Sequence, residues 1–318
     1  MKRTALFFCS ALALAAAVSC EKDPKVVDFP IVGDLSLSGE GNNVLGTWLP
    51  GDKIGVFVTS DGVTQENLLY TPSETAEDKS MDLGDGRIYH MYGDEVGNVA
   101  LTPSGVAAGF KQGDHAIYAY APYDENAKDV AAVPVPDLTE QDATAYEGQT
   151  ANPALCFVYA TAELSEYSAA TVDLGTFACD NVELNTGTIA FDNEEAAGKT
   201  LDKISFTATE TIAYKNCTYN FIKGEYQGEA TNTVTLKTAF EVDNNPTFDF
   251  ESMQMVTVTS CSEPIKALIL KDVETAKSMQ YTVEATLSDG SVWTATVTPA
   301  MAFGTTVSFS SNIKLSKK

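Results

Sequence analysis

Two histidines, six cysteines and 44 acidic residues are the groups in this chain that could carry chemistry. Acid–base and nucleophilic catalysis need a base of suitable pKa held beside a nucleophile or a metal. His90 lies in Arg87-Ile88-Tyr89-His90-Met91-Tyr92, and His115 opens an apolar run beside Asp114, so both read as structural or solvent-facing. There is no HExxH, GxSxG, P-loop or EF-hand spacing. Asp78, Asp82 and Asp85 cluster, but not at the spacing of a calcium loop, so they read as solvated acids. A glycosidase-type carboxylate pair can lie anywhere in a sequence, and nothing singles out two acids here. The expectation is no catalytic residue, no metal, no cofactor and no enzyme.

The cysteines divide in two groups. Cys156, Cys179, Cys217 and Cys261 show no CxxC spacing and no nearby histidine, which argues against zinc. Outside the cytoplasm they could form two disulfides in three pairings. Cys156, inside Ala154-Leu155-Cys156-Phe157-Val158, suits a buried thiol equally well, so their state stays open. Cys20 is different. Lys2 and Arg3 precede an apolar stretch from Leu6 to Ala17, and Ala17-Val18-Ser19 leads directly into Cys20. The stretch is shorter than the roughly 20 apolar residues that span a bilayer, and it reads as a signal peptide over residues 1–19, with Cys9 lost in it. The cysteine after small residues resembles the lipobox of bacterial lipoproteins. That resemblance implies a diacylglycerol on the Cys20 sulfur, cleavage before it and acylation of the new amino group.

Removing residues 1–19 leaves 299 of the 318 residues, with 18 basic against 44 acidic side chains, a formal charge of −26. That length suits one large or two medium domains. Such acidity repels nucleic acid and anionic membrane surfaces, so no nucleic-acid partner is expected. The charge reads as a soluble exterior. Arginine occurs only at Arg3 and Arg87.

The rest of the chain reads as strand after strand. Lys53-Ile54-Gly55-Val56-Phe57-Val58 and His115-Ala116-Ile117-Tyr118-Ala119-Tyr120-Ala121 are β-rich runs, the second stopped by Pro122. Val234, Leu236, Phe240 and Val242 alternate with polar residues. Tyr281–Leu287 and Val292–Val297 flank Asp289-Gly290, the strongest short-range hairpin signal, because the turn needs positive φ angles. A last strand is expected over 307–315. Residues 140–146 read as a turn or two of helix, 193–199 as a loop with one turn, and 124–153 as a long connection. Many short strands with Gly, Asn and Asp turns point to β-sandwiches. The expected organisation is a tether over 20–30 and two β-sandwich domains, 31–168 and 169–318.

Several of these residues carry a resemblance. Trp48-Leu49-Pro50-Gly51-Asp52-Lys53-Ile54-Gly55-Val56-Phe57 resembles the W-x-x-G-D-x-I-G-V-F opening of fimbrillin-like proteins, the type V pilus subunits and surface lipoproteins of Gram-negative anaerobes. Asn67-Leu68-Leu69-Tyr70, Ile117–Tyr123, and the ending from Tyr281 to Leu315 follow in the family's order. In these motifs Gly51 and Gly55 would permit tight backbone geometry, Asp52 would cap a turn, and the tyrosines would present apolar faces with polar tips. The resemblance implies an all-β fold of two transthyretin-like β-sandwich domains in tandem. It also implies a structural, anchor or adhesive role in cell-surface fimbriae.

In polymerising relatives, the resemblance further implies, an N-terminal strand is removed after an arginine, and the vacated groove takes a strand from the next subunit by β-augmentation. Val307, Phe309, Ile313 and Leu315 are the candidate donor strand, with an ordinary last strand of the second sandwich as the equal alternative. This chain departs from the pattern, since no arginine lies between Cys20 and Trp48. The departure favours a subunit that keeps its lipid, as an anchor or stand-alone surface protein. Glu21-Lys22-Asp23 resembles the charged signals that send such lipoproteins to the outer face. The expected location is the outer membrane, lipid-anchored and surface-exposed, or the fimbrium if polymerised. Expected partners are other fimbrial subunits by strand exchange, the outer membrane through Cys20, and host or bacterial surface ligands. The alternative is a glycan-binding lipoprotein of a nutrient-uptake system. Trp48 and Trp293, both inside strands or strand starts, disfavour the aromatic platform that reading needs.

Overall fold

In the computed structural model of the protein, the strands expected around Val56 and Tyr118 lie side by side. Ile54–Ser60 pairs antiparallel with His115–Ala121, which pairs in turn with Val158–Leu164. The structure describes residues 27–28, 31–34, 47–60, 63–84, 88–94, 96, 99–110, 114–144, 147–148, 151–164, 172–249, 252–261, 263–309 and 312–318. The signal-peptide residues, Cys20 and the expected boundary at 168 lie outside them.

The fold is all-β with sheets stacked as in a β-sandwich. A first sheet runs, in spatial order, Val172–Thr176, Ile31–Asp34, Val99–Pro103, Leu68–Pro72, Ile54–Ser60, His115–Ala121, Val158–Leu164 and Ala178–Cys179. A second large sheet runs Glu140–Asp142, Thr233–Asp249, Lys199–Ala208, Tyr281–Leu287, Val292–Val297, Asn312–Lys317, Thr188–Phe191 and Gln254–Cys261. A four-stranded sheet, Lys266–Leu270, Asn181–Asn185, Thr306–Ser308 and Met301–Phe303, shares its core. Leu184, Leu268 and Val307 from the smaller sheet are buried in one apolar cluster with Ile204, Phe206, Val283 and Ala285 from the larger. The buried members of Tyr281–Leu287 alternate, as a strand with one face on a core requires.

The edge of the smaller sheet at Lys266–Leu270 is closed by a side chain. Gln141 Nε2 donates to the Leu268 carbonyl at 2.7 Å, and the Leu268 N–H donates to Gln141 Oε1 at 3.0 Å. The amide thus stands in for a neighbouring strand where an open edge would invite pairing.

Three expectations change in the structure. Of residues 140–146, the described 140–144 do not form helix: Glu140–Asp142 is a strand, parallel to Thr235–Lys237, because Gln141 is drawn into the sandwich. Residues 307–315 are not one strand. The chain leaves the smaller sheet after Thr306–Ser308 and enters the larger one at Asn312–Lys317. A short helix, Val273–Ser278, capped by Asp272 accepting from the Thr275 N–H at 2.9 Å, has no counterpart in the expectations. The single turn near 195 is a 3-10 turn over Glu194–Ala196.

Candidate functional site

The first sheet is built around an N-terminal insertion. Ile31–Asp34 lies antiparallel to Val99–Pro103, with Ile31 opposite Leu101 and Gly33 opposite Val99. On its other side it lies parallel to Val172–Thr176, with Val172 opposite Ile31. Val27–Asp28 pairs with Gly109–Phe110. Val27–Asp28 and Ile31–Asp34 therefore fill a slot walled by the strands that carry the buried Val99, Leu101, Phe110, Val172 and Leu174. Among the described residues, Val172–Thr176 has no other strand partner. Loss of the insertion would strip the sheet of one strand and detach a second. No lysine or arginine occurs between Lys25 and Lys53, so the 35–46 connection that follows the insertion carries no basic residue.

Further across the same sheet, the residues of the opening motif meet those of the later ones. Gly51 has φ +92, which its lack of a Cβ permits, and it closes the turn in which the Leu49 N–H donates to Asp52 Oδ2 at 2.7 Å. Burial pushes the Asp52 carboxyl up to about 6, against the lowering effect of the Leu49 N–H. Trp48 is buried with its ring edge-on to Phe177, centroids 5.3 Å apart. Gly55 serves another purpose than turning: a Cβ there would lie 2.2 Å from Tyr120 Cε1 and 2.7 Å from Asn67 Oδ1. The Tyr120 ring lies over that glycine. Asn67 Nδ2 donates to the Tyr120 hydroxyl at 2.8 Å and to the Asp124 carbonyl at 2.9 Å. The Tyr120 hydroxyl donates to the same carbonyl at 3.1 Å, and burial raises its pKa to about 12. These motifs are one packing device that locks the turn after Ala121, where the Ala121–Pro122 bond is cis.

A model of the fimbrillin-like family matches residues 42–307. The chain belongs to the fimbrillin-like family. Among solved structures it is similar to a candidate cell adhesion protein from Bacteroides uniformis ATCC 8492, at 19% identity and TM-score 0.47, covering 92% of this chain and 96% of that one. It is similar to another from Bacteroides ovatus ATCC 8483, at 13% identity and TM-score 0.43, with 92% and 96% covered. A fimbrial assembly protein from Parabacteroides distasonis ATCC 8503 aligns at 12% identity and TM-score 0.34, over 84% of this chain and 100% of that one. No curated protein matches the sequence. Membership of the fimbrillin-like family supports a fimbrial or adhesive role at the cell surface.

The sequence-derived candidates lie as follows in this fimbrillin-like chain. Val307 sits in the smaller sheet, and Phe309 follows it, packed between Phe206 and Tyr281 at centroid distances of 6.2 and 5.6 Å. Ile313 and Leu315 sit in Asn312–Lys317, parallel to Thr188–Phe191. All four are buried. The structure thus does not gather them with the slot; they lie in the core shared by the second large sheet and the four-stranded sheet. Cys156, Cys179, Cys217 and Cys261 are free thiols, and burial pushes Cys217 and Cys261 up to about 11. Protonated thiols of this kind are poor nucleophiles. His115 is buried edge-on to Phe110, and the carboxylates of Asp78 and Asp82 accept from the N–H groups of Ser80 and Gly84 within their own turns. Asp85 lies outside the described residues.

Sequence reasoning missed an aromatic join. Phe57, Tyr118, Tyr120, Phe157 and Tyr159 of the first sheet and its flank pack against Tyr219 and Tyr226 of the strands Ala213–Asn220 and Glu225–Thr231, and Phe221 of the turn between them. Tyr159 and Tyr219 have ring centroids 4.4 Å apart. The signal was present as aromatic residues in alternate positions of both runs, Tyr118 with Tyr120 and Tyr219 with Phe221. Nothing local says that the two sets meet.

Proposed function

We propose that this protein is a surface-anchored fimbrillin-like lipoprotein, a base or stand-alone adhesive subunit that keeps its N-terminal strand. The observation that carries the reading is the embedded strand Ile31–Asp34, followed by a connection without a single lysine or arginine. A strand that fills its own slot leaves that slot closed to a second subunit. A protease that cuts after basic residues finds no bond between Lys25 and Lys53 at which to release it.

The lipid belongs on Cys20, and the tether, expected over 20–30, is shortened to residues 20–26 by the pairing of Val27–Asp28 with Gly109–Phe110. The body is read as two tandem sandwiches: the first sheet draws on residues up to Cys179, whereas the second large sheet and the four-stranded sheet draw on residues from Asn181 onward, apart from the edge strand Glu140–Asp142. A donated strand, if this chain supplies one, is the stretch holding Val307, Phe309, Ile313 and Leu315, which would first have to leave its own sandwich. The glycan-capture alternative gains no support from the tryptophans, since Trp48 and Trp293 are 1% and 0% exposed and offer no platform.

Immunogold electron microscopy of expressing cells tests the role. Labelling at the base of filaments, or at the envelope with loss of adhesion on deletion, supports it. Diffuse labelling together with micromolar binding of a soluble glycan would overturn it.

A further inference from the structure

The strand Thr233–Asp249 belongs to two pairings. Thr233 to Val242 pair with Lys199–Ala208, whereas Val242 to Asp249 pair with Gln254–Cys261. Ser260 and Cys261 also pair with Ala190 and Ile189. Beyond them, among the described residues, no third strand flanks Gln254–Thr259. The six pairs from Asn244–Thr259 to Asp249–Gln254 form a two-stranded ribbon, about 20 Å long at roughly 3.4 Å per residue.

An isolated two-stranded ribbon is marginal in water, and this one carries large apolar side chains outward. Met253 is 70% exposed, Met255 64%, Phe248 40% and Val256 36%. Phe248 lies opposite Met255, and Thr247 opposite Val256. The two edges of the ribbon are not alike. Pro246 interrupts one, a device by which proteins blunt exposed edges. The other, Gln254-Met255-Val256-Thr257-Val258-Thr259, has no proline, glycine or charge and is rich in β-branched residues. Pro246 has no N–H to give its partner Thr257, so this is a pair without mutual hydrogen bonds, and the Thr257 N–H faces the open edge.

Charge selects the occupant. The chain carries a formal −24, yet residues 252–261 hold no charged side chain, so a basic partner finds no carboxylate on this strand and a copy of the same strand meets no repulsion. The ribbon holds two acidic bodies about 20 Å apart, well beyond the screening length of about 8 Å at physiological salt. We propose that Met255–Thr259 pairs antiparallel with the same strand of a second copy about a two-fold axis at Thr257, giving a four-stranded sheet shared by two chains. The proposal rests on neither the lipid nor the N-terminal slot.

Light scattering coupled to size separation, on the full chain in mild detergent over a wide concentration range, tests it. The wild type is expected to pass from monomer to dimer. Thr257→Pro blocks the outward edge while sparing the ribbon's own bonds, and Thr257→Glu sets two like charges face to face at the axis. Both are expected to weaken association about tenfold or more with unchanged melting temperature. A wild type that stays monomeric, or association that survives both variants, overturns the proposal.

Discussion

Tyr159 and Tyr226 donate their hydroxyls to one and the same oxygen, Oδ2 of Asp180, each at 3.0 Å. Tyr159 comes from the first sheet and Tyr226 from the ribbon of strands that packs on it, so one carboxylate ties the two together at the edge of the aromatic join. Burial, followed by the charge of Asp180, holds the Tyr226 hydroxyl far above the usual phenol range, so it remains a donor. Tyr226→Phe and Tyr159→Phe are each expected to cost about 1.5 to 3 kcal/mol in urea unfolding, the range for hydrogen bonds to a charged acceptor. A loss below a few tenths would mean that the pair carries no weight in the join.

Packing around Gly55 gives a second expectation. A Cβ at this position meets the Tyr120 ring at 2.2 Å, and that ring is pinned by Asn67 and Asp124. Gly55→Ala is expected to destabilise the chain by about 1 to 3 kcal/mol through overpacking. Gly51→Ala is expected to strain the turn instead, since its φ is +92 with nothing within 4 Å. Chemical unfolding of the two variants, with near-UV signals from Tyr120 as a local probe, separates the causes: only Gly55→Ala should disturb the ring.

Asp52 sets a pH dependence. Burial raises its pKa from 3.8 to about 6, so between these values the folded chain holds a proton that the unfolded chain releases. Its contribution to stability is fully present below about 3.8 and is lost as pH rises through about 6. At 1.36 kcal/mol per unit the loss is about 3 kcal/mol at most. Asp52→Asn keeps an acceptor for the Leu49 N–H and is expected to flatten the stability profile between pH 4 and 6. An unchanged slope in that variant would remove Asp52 as its source.

Opening the slot is the fourth expectation. With a protease site placed in residues 35–46, cutting and removing the strand segment should expose the edge at Val99–Pro103 and free Val172–Thr176. The melting temperature is expected to fall by roughly 5 °C or more, the shift produced by about 2 kcal/mol in a chain of this size. A labelled peptide of sequence 27–34 should then bind and restore it. Equal melting before and after removal would mean that the strand contributes nothing to the sheet.

Local patterns in the sequence were enough for hairpins and not for long-range pairing. Tyr281–Leu287 and Val292–Val297 fall where alternation and Asp289-Gly290 put them, with Gly290 at φ +79. The parallel pairing of Ile31 with Val172 spans most of the first half of the chain, and no alternation in either strand announces the other. Glu140–Asp142 read as helix because its polar residues carry no β pattern; its conformation is imposed by pairing with Thr235–Lys237. Val307, Phe309, Ile313 and Leu315 read as one alternating strand because each is buried, although Val307 and the pair Ile313 and Leu315 lie in different sheets. The motif residues were legible as architecture, but only their contacts explain Gly55, which yields to a tyrosine ring rather than to a turn.

The central claim is a chain that stays lipidated and keeps its N-terminal strand. An intact-mass spectrum of the protein from the cell surface tests it most directly, with palmitate labelling of wild type and Cys20→Ala alongside. The account predicts a chain that begins at acylated Cys20, retains residues 27–34, and loses its label in the variant. A surface form that begins after residue 34 and carries no lipid would contradict it.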